Sequence, residues 1–238
     1  GSAWVLSNVP DAPYFKDPED NAYHGNHGYS VARLLAASAA APTYFDQRLI
    51  QIAPDQVGTF VDGVLSPYSD PSLALLQIAR LKAFGLEWSA NADDLFILSL
   101  GTGRYRARIA AEAAARLRPI PLSYHAMRGM VTDAELHTLT MMQWLGTSKA
   151  PALVNSEIGS LERDHLGPEP AYSFLRLDLP LEFEDLASLG IEVPKDQLKR
   201  YQRFDDPDII DPIYELAQRY VETVLDLDQL LSEGSELP

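Results

Sequence analysis

The chain has 238 residues, 46% of them apolar and 22% charged, an ordinary globular composition with length enough for a sizeable buried core. Its 34 acidic and 19 basic side chains leave a net charge of −15, a surface that repels phosphate backbones and anionic lipid and argues against nucleic acid as a partner. Cysteine is lacking, which excludes disulfides, thiolate metal sites and thiol nucleophiles.

The apolar runs fall short of the roughly 20 residues a membrane-spanning helix needs, and no signal-peptide pattern opens the chain. The expectation is therefore a cytoplasmic chain with no membrane span. Gly1-Ser2 reads as a cloning scar, and residues 3–238 as a single domain.

Trp4-Val5-Leu6 is a short strand candidate running into a Pro/Asp/Asn-rich loop over residues 10–28. A small-residue helix is predicted over Val31–Ala40, stopped by Pro42. Thr59-Phe60-Val61 is a short strand that ends at Asp62-Gly63. Ser69-Asp70-Pro71 supplies an N-cap and a proline suited to a first helical position, and the helix behind it should bury Leu73, Leu76 and Leu81. Leu95–Leu100 is a continuous apolar run, as expected of a strand covered on both faces, and it ends at Gly101-Thr102-Gly103.

Residues 107–118 and 131–145 read as helices, the second with Leu136, Leu139, Met142 and Leu145 on its buried face. Phe174–Leu179 alternates apolar and polar side chains like a half-exposed edge strand. Residues 178–238 carry 16 acidic and 5 basic side chains, a net of −11, yet remain periodic. Ile209, Ile213, Leu216, Tyr220 and Val224 mark an amphipathic helix, capped at Asp206-Pro207-Asp208, with a solvated acidic face. Short strands alternating with helices predict an α/β layered fold with a largely parallel sheet.

Few residues carry chemistry by pattern alone. Asp62-Gly63 is a turn signal that would also present a carboxylate at a strand end, where α/β sheets gather ligands. Gly101-Thr102-Gly103 resembles the start of a dinucleotide fingerprint but has Arg106 at the third glycine position; Arg104, Arg106 and Arg108 could hold an anion there or simply be solvated. His24 and His27 read as loop residues, since a metal needs three or four ligands. Trp88, Trp144 and Tyr172 read as packing. Gly146-Thr147-Ser148-Lys149-Ala150 nearly spells a nucleophile elbow, but it follows a helix and leads into Pro151.

Taken together, Ser38-Ala39-Ala40-Ala41-Pro42-Thr43-Tyr44-Phe45, the Phe60–Val64 segment with Asp62-Gly63, Asp70-Pro71 and Leu98-Ser99-Leu100-Gly101-Thr102-Gly103 resemble the patatin-like lipid acyl hydrolases, bacterial members above all. Met141–Leu145 and the acidic C-terminal helices extend the resemblance over most of the chain. It implies a three-layer α/β/α sandwich and a serine–aspartate dyad acting on lipid acyl esters, with no cofactor and no metal. By its match to D-G-[GA], Asp62 would be the dyad base and Gly63 the turn residue. Val64 stands where a glycine or alanine is usual, and Ser69-Asp70 where an asparagine often precedes the proline.

The family's G-x-S-x-G elbow does not occur here. Its G-G-G-x-[RK]-G oxyanion loop does not either, and none of the fourteen glycines has a glycine neighbour. The resemblance therefore implies the C-terminal portion of such a domain. Its nucleophile would come from a missing N-terminal segment or another chain, and this chain alone would be inactive. An alternative is an inert patatin-fold interaction module, with an unpaired edge at residues 95–100 or 59–64, that pairs with that segment or with a second copy.

Overall fold

The computed structural model describes residues 3–42, 44–106, 109–203 and 206–225. Thr43, the Ala107-Arg108 start of one predicted helix and the acidic end beyond residue 225 lie outside them.

The architecture is mixed α/β. The small-residue helix α1 runs over Val31–Ser38, with the Ser30 side chain accepting the Arg33 N–H as its cap. Strands β1 (Arg48–Ala53) and β2 (Gln56–Phe60) form an antiparallel hairpin in the register Arg48 opposite Phe60. Helix α2 (Ser72–Arg80) leads to β3 (Phe96–Leu100), which pairs in parallel with β4 (Ser173–Leu177), Phe96 opposite Ser173. Between them lie α3 (Ala111–Ala114) and the 27-residue α4 (Pro119–Leu145). The chain continues through α5 (Phe183–Ser188), α6 (Lys195–Tyr201) and α7 (Ile210–Val224).

Two apolar clusters hold these elements. In the first, Leu95, Ile97 and Phe174 from the parallel pair meet Leu139 and Met142 of α4, Tyr172 and Val154, with Leu73 and Leu76 of α2 at its rim. In the second, Leu179 and Leu181 beyond β4 pack on Leu186, Ile191, Val193, Leu198 and Leu216 from the acidic helices. The predicted C-terminal periodicity holds: Ile209 and Leu216 are buried, and the Asp206 carboxylate accepts the Asp208 N–H at the entry to α7.

Several expectations are corrected. Among the described residues two two-stranded sheets stand in place of one largely parallel sheet. Trp4–Leu6 forms no strand; Trp4 stacks on Phe60 at 4.8 Å instead. The strand before Asp62 belongs to a hairpin whose first half, Arg48–Ala53, sequence reading passed over. Leu81 is exposed, and the helix expected over 107–118 contracts to Ala111–Ala114.

The largest difference concerns β3. Its residues alternate, with Ile97 and Ser99 buried and Phe96, Leu98 and Leu100 exposed at 52%, 48% and 68%. One face is covered by α2 and α4 and the other is bare, an unusual state for parallel strands. β4 is no polar-outward edge: Phe174 and Leu175 are both buried, and Thr147 bridges to Ser173 on its far side.

Met142→Ala, at a fully buried position, is expected to cost about 2–5 kcal/mol in urea denaturation, whereas Leu98→Ala on the bare face costs under about 1 kcal/mol. Burial also pushes the Tyr172 hydroxyl above its ordinary value of 10.0. The folded state holds the neutral phenol, so this stability is present below pH 10 and is lost as the pH rises further. Urea midpoints followed through that range are expected to fall less steeply in Tyr172→Phe, and absorbance near 295 nm should place ionisation of Tyr172 together with unfolding.

Candidate functional site

Two groups of polar side chains stand out: Asp62 at the surface, and a buried cluster around Arg176. Asp62 follows β2 by two residues. Its N–H donates to the Ala40 carbonyl at 3.0 Å, tying the strand end to the end of α1. Its carboxylate Oδ1 accepts the Val64 N–H at 2.8 Å and so caps a short 3-10 turn over Gly63–Leu65. Among the described residues no donor holds the other carboxylate oxygen, and Asp62 is half-buried.

Val61, just before it, lines an open cleft of about 510 Å³ with Tyr44, Phe45 and Arg48. Gly63 is not demanded by sterics: a β-carbon there would meet Tyr68 Cβ at an ordinary 3.6 Å. The Val64 side chain is exposed. Among the described residues no serine hydroxyl bonds the Asp62 carboxylate.

From Asp62 the chain runs through a second 3-10 turn, Pro67–Ser69, whose start the Ser66 hydroxyl caps by accepting the Tyr68 N–H. Ser66 also donates to the Gly63 carbonyl at 2.6 Å, and Ser69 donates to Glu135 of α4 at 2.7 Å. The loop then ends at Asp70, which is 3% exposed.

There the second group begins. Asp70 Oδ1 accepts the Ser72 N–H at 3.0 Å, the Ser72 hydroxyl, and the Ser99 hydroxyl at 3.2 Å. Its other oxygen lies 3.2 Å from Arg176 Nη1, which also donates to Ser99 Oγ at 2.7 Å. Arg176 Nη2 donates to Asp178 Oδ2 at 2.8 Å. Asp178 Oδ1 in turn accepts the Gly103 N–H at 3.1 Å. Over this turn sits Tyr220 of α7, its hydroxyl pushed up by burial, with the Asp178 carboxylate adding to the shift and the Arg104 guanidinium opposing it.

Sequence reading missed this cluster because it took the alternation of Arg176 and Asp178 as solvent-facing. Both side chains are 13% exposed and turn inward. The one available signal was Ser99, a polar residue inside an otherwise apolar strand.

The cluster also answers two candidates. Gly101-Thr102-Gly103 cannot cradle an outside anion, because the Asp178 carboxylate already fills the cradle. A β-carbon on Gly101 would overlap that carboxyl, and Gly103 has φ +102°. Ser72–Asp70 is a serine–carboxylate pair, yet it is sealed from substrate, and the remaining lone pairs go to Ser99 and Arg176.

The near-elbow at 146–150 is likewise structural. Thr147 pairs beside β4, and a β-carbon on Gly146 would press into the Tyr172 ring. Ser148 Oγ is buried and, among the described residues, has no hydrogen-bond partner, so no base there activates it. His27 bonds the Phe15 carbonyl and lies 3.8 Å from Asp17, while the His24 N–H donates to Ile52. Among the described residues no three His, Asp or Glu side chains gather at metal-binding distance. Tyr172 is core, bonded to the Met142 carbonyl at 3.0 Å; Trp144 is marginal and Trp88 exposed.

Comparison with family models, with curated proteins and with solved structures returned no match.

Arg176→Met is expected to cost about 3–5 kcal/mol in urea denaturation, since it leaves Asp70 and Asp178 buried without their shared cation. Asp62→Asn, which retains a capping oxygen, is expected to cost under about 1 kcal/mol.

Proposed function

We propose that this chain is the base-bearing part of a patatin-like lipid acyl hydrolase, with Asp62 as the proton acceptor of a Ser–Asp dyad whose serine and oxyanion donors come from another segment. One observation carries this reading. A single N–H orients the Asp62 carboxylate and leaves one oxygen uncommitted just past the end of a strand, next in the chain to Val61, which lines an open cleft. A general base needs that combination of a fixed direction on one side and a free lone pair on the other.

In the reaction, the serine hydroxyl gives its proton to Asp62 as its oxygen attacks the ester carbonyl. The same proton then passes to the departing alcohol, and water repeats the cycle on the acyl-serine. Without a nucleophile and oxyanion donors the two largest catalytic contributions are lost, so the chain alone is inactive. The bare face of β3 supports the same reading, because a further layer there would complete a three-layer sandwich.

A second reading, an inert module that binds another chain through that face, is favoured by the exposed Phe96, Leu98 and Leu100. Both readings expect a covering segment; they part on ester hydrolysis.

The reading frame upstream of Ala3 is the cheapest test: a Gly-rich loop and a serine elbow are expected there, and a frame without them counts against the enzyme. The product of the full frame should hydrolyse p-nitrophenyl esters, with Asp62→Asn lowering kcat about 10²–10⁴-fold. Hydrolysis by the chain alone that disappears in Asp62→Asn would sink the division of the dyad between segments.

A further inference from the structure

The net charge of −15 conceals a sharp local reversal. Residues 104–130 hold six arginines, no lysine and one acid, Glu112, and so carry +5 while the rest of the chain carries −20. The segment ends within the first half of α4, whose start leaves the body of the protein. Every residue from Pro119 to Met127 is exposed and none is charged. Ile120 is 85% and Met130 70% exposed, with Leu122, Tyr124 and Met127 also bare.

Farther along the same helix, Leu139 and Met142 are locked into the first apolar cluster, so the tip is held out on an anchored shaft. Among the described residues no acidic side chain pairs with Arg116 or Arg118, which stand at the base of the tip. Arg128 is engaged inward, over the Tyr105 ring at 5.2 Å.

The distribution of the apolar side chains decides what could cover them. Ile120, Tyr124 and Met127 share one stripe, but Leu122 falls on nearly the opposite side at 100° per residue. A helix that docks in a protein groove shows a single stripe; this tip bears apolar side chains on both sides, interrupted by Ser123 and His125, which suits a medium without preferred direction. Exposed arginines flanking such a tip complement negative headgroups. No helix among the described residues is long and apolar enough to cross a membrane, so the contact is interfacial.

We propose that residues 109–130 are a membrane-docking arm: the α4 tip, Pro119–Met127, enters the surface of an anionic lipid bilayer while Arg116 and Arg118 meet the headgroup phosphates. The tip is about 13 Å long, enough to pass through the headgroup layer to the acyl boundary. The arm stands independently of Asp62.

Flotation of the purified chain with vesicles of phosphatidylcholine alone, and of equimolar phosphatidylcholine and phosphatidylglycerol, tests the arm without turnover, so its failure is distinct from failure of the Asp62 reading. The chain is expected to float with the mixed vesicles at low ionic strength, less with the neutral ones, and less again as salt rises. Arg116→Gln and Arg118→Gln should each weaken partition about fivefold. Ile120→Asp with Met127→Asp should abolish it while leaving the far-UV circular dichroism unchanged. No partition into the anionic vesicles, or partition that neither pair of substitutions alters, overturns the proposal. So does an oligomer, seen by light scattering, that Ile120→Asp dissociates, because a second copy would then occupy the tip.

Discussion

The guanidinium of Arg176 is the point on which the rest of the molecule hangs. It lies on β4, bonds Ser99 on β3, and faces Asp70 at the start of α2 and Asp178 before the second apolar cluster. One cation therefore joins both strands of the parallel pair, the helix that covers them and the turn that leaves them. Taking these charges out of water is costly, and the cost is offset only because every lone pair facing the cation is engaged. Directional bonds of this kind favour one arrangement of strand, helix and turn over near-equivalents that apolar packing alone would tolerate.

That centre reaches the surface through the loop from Asp62 to Asp70. At its far end Asp70 is pinned by Arg176; at its near end the Asp62 N–H is pinned to Ala40. In between, Ser66 and Ser69 tie the turns to themselves and to α4. A carboxylate on a loop held at both ends keeps its direction, the geometric requirement for a base that must accept a proton from a group brought by another segment. Buried ion pair, loop and exposed carboxylate thus form one mechanical unit.

The surface is divided as clearly as the interior. Negative charge is gathered on the C-terminal helices, where it is solvated; positive charge is gathered on residues 104–130, next to apolar side chains that nothing covers. The uncovered face of β3 is a separate feature, flat and strand-based, suited to another layer of protein. The whole-chain charge is a sum and does not reveal this segregation.

Local chemistry in the sequence determined much that survives in three dimensions. The α1 helix and its stop, the buried face of α4 and the amphipathic α7 all follow from periodicity and capping, which act within a few residues, whereas Pro71, read as the first residue of α2, stands at its N-cap position with Ser72 first in the helix. The position of Asp62 after a strand was legible for the same reason. Tertiary structure alone decided which side of each strand meets the core. Leu95–Leu100 reads as doubly covered because all its residues but Ser99 are apolar, yet Leu95 and Ile97 are buried while Phe96, Leu98 and Leu100 are bare. Arg176 and Asp178 read as solvated because they are charged, yet they lie inside, since each found a partner distant in sequence. Burial of a charge depends on who sits opposite, and cover for an apolar face depends on what folds over it; neither is a property of the residue or its neighbours in the chain.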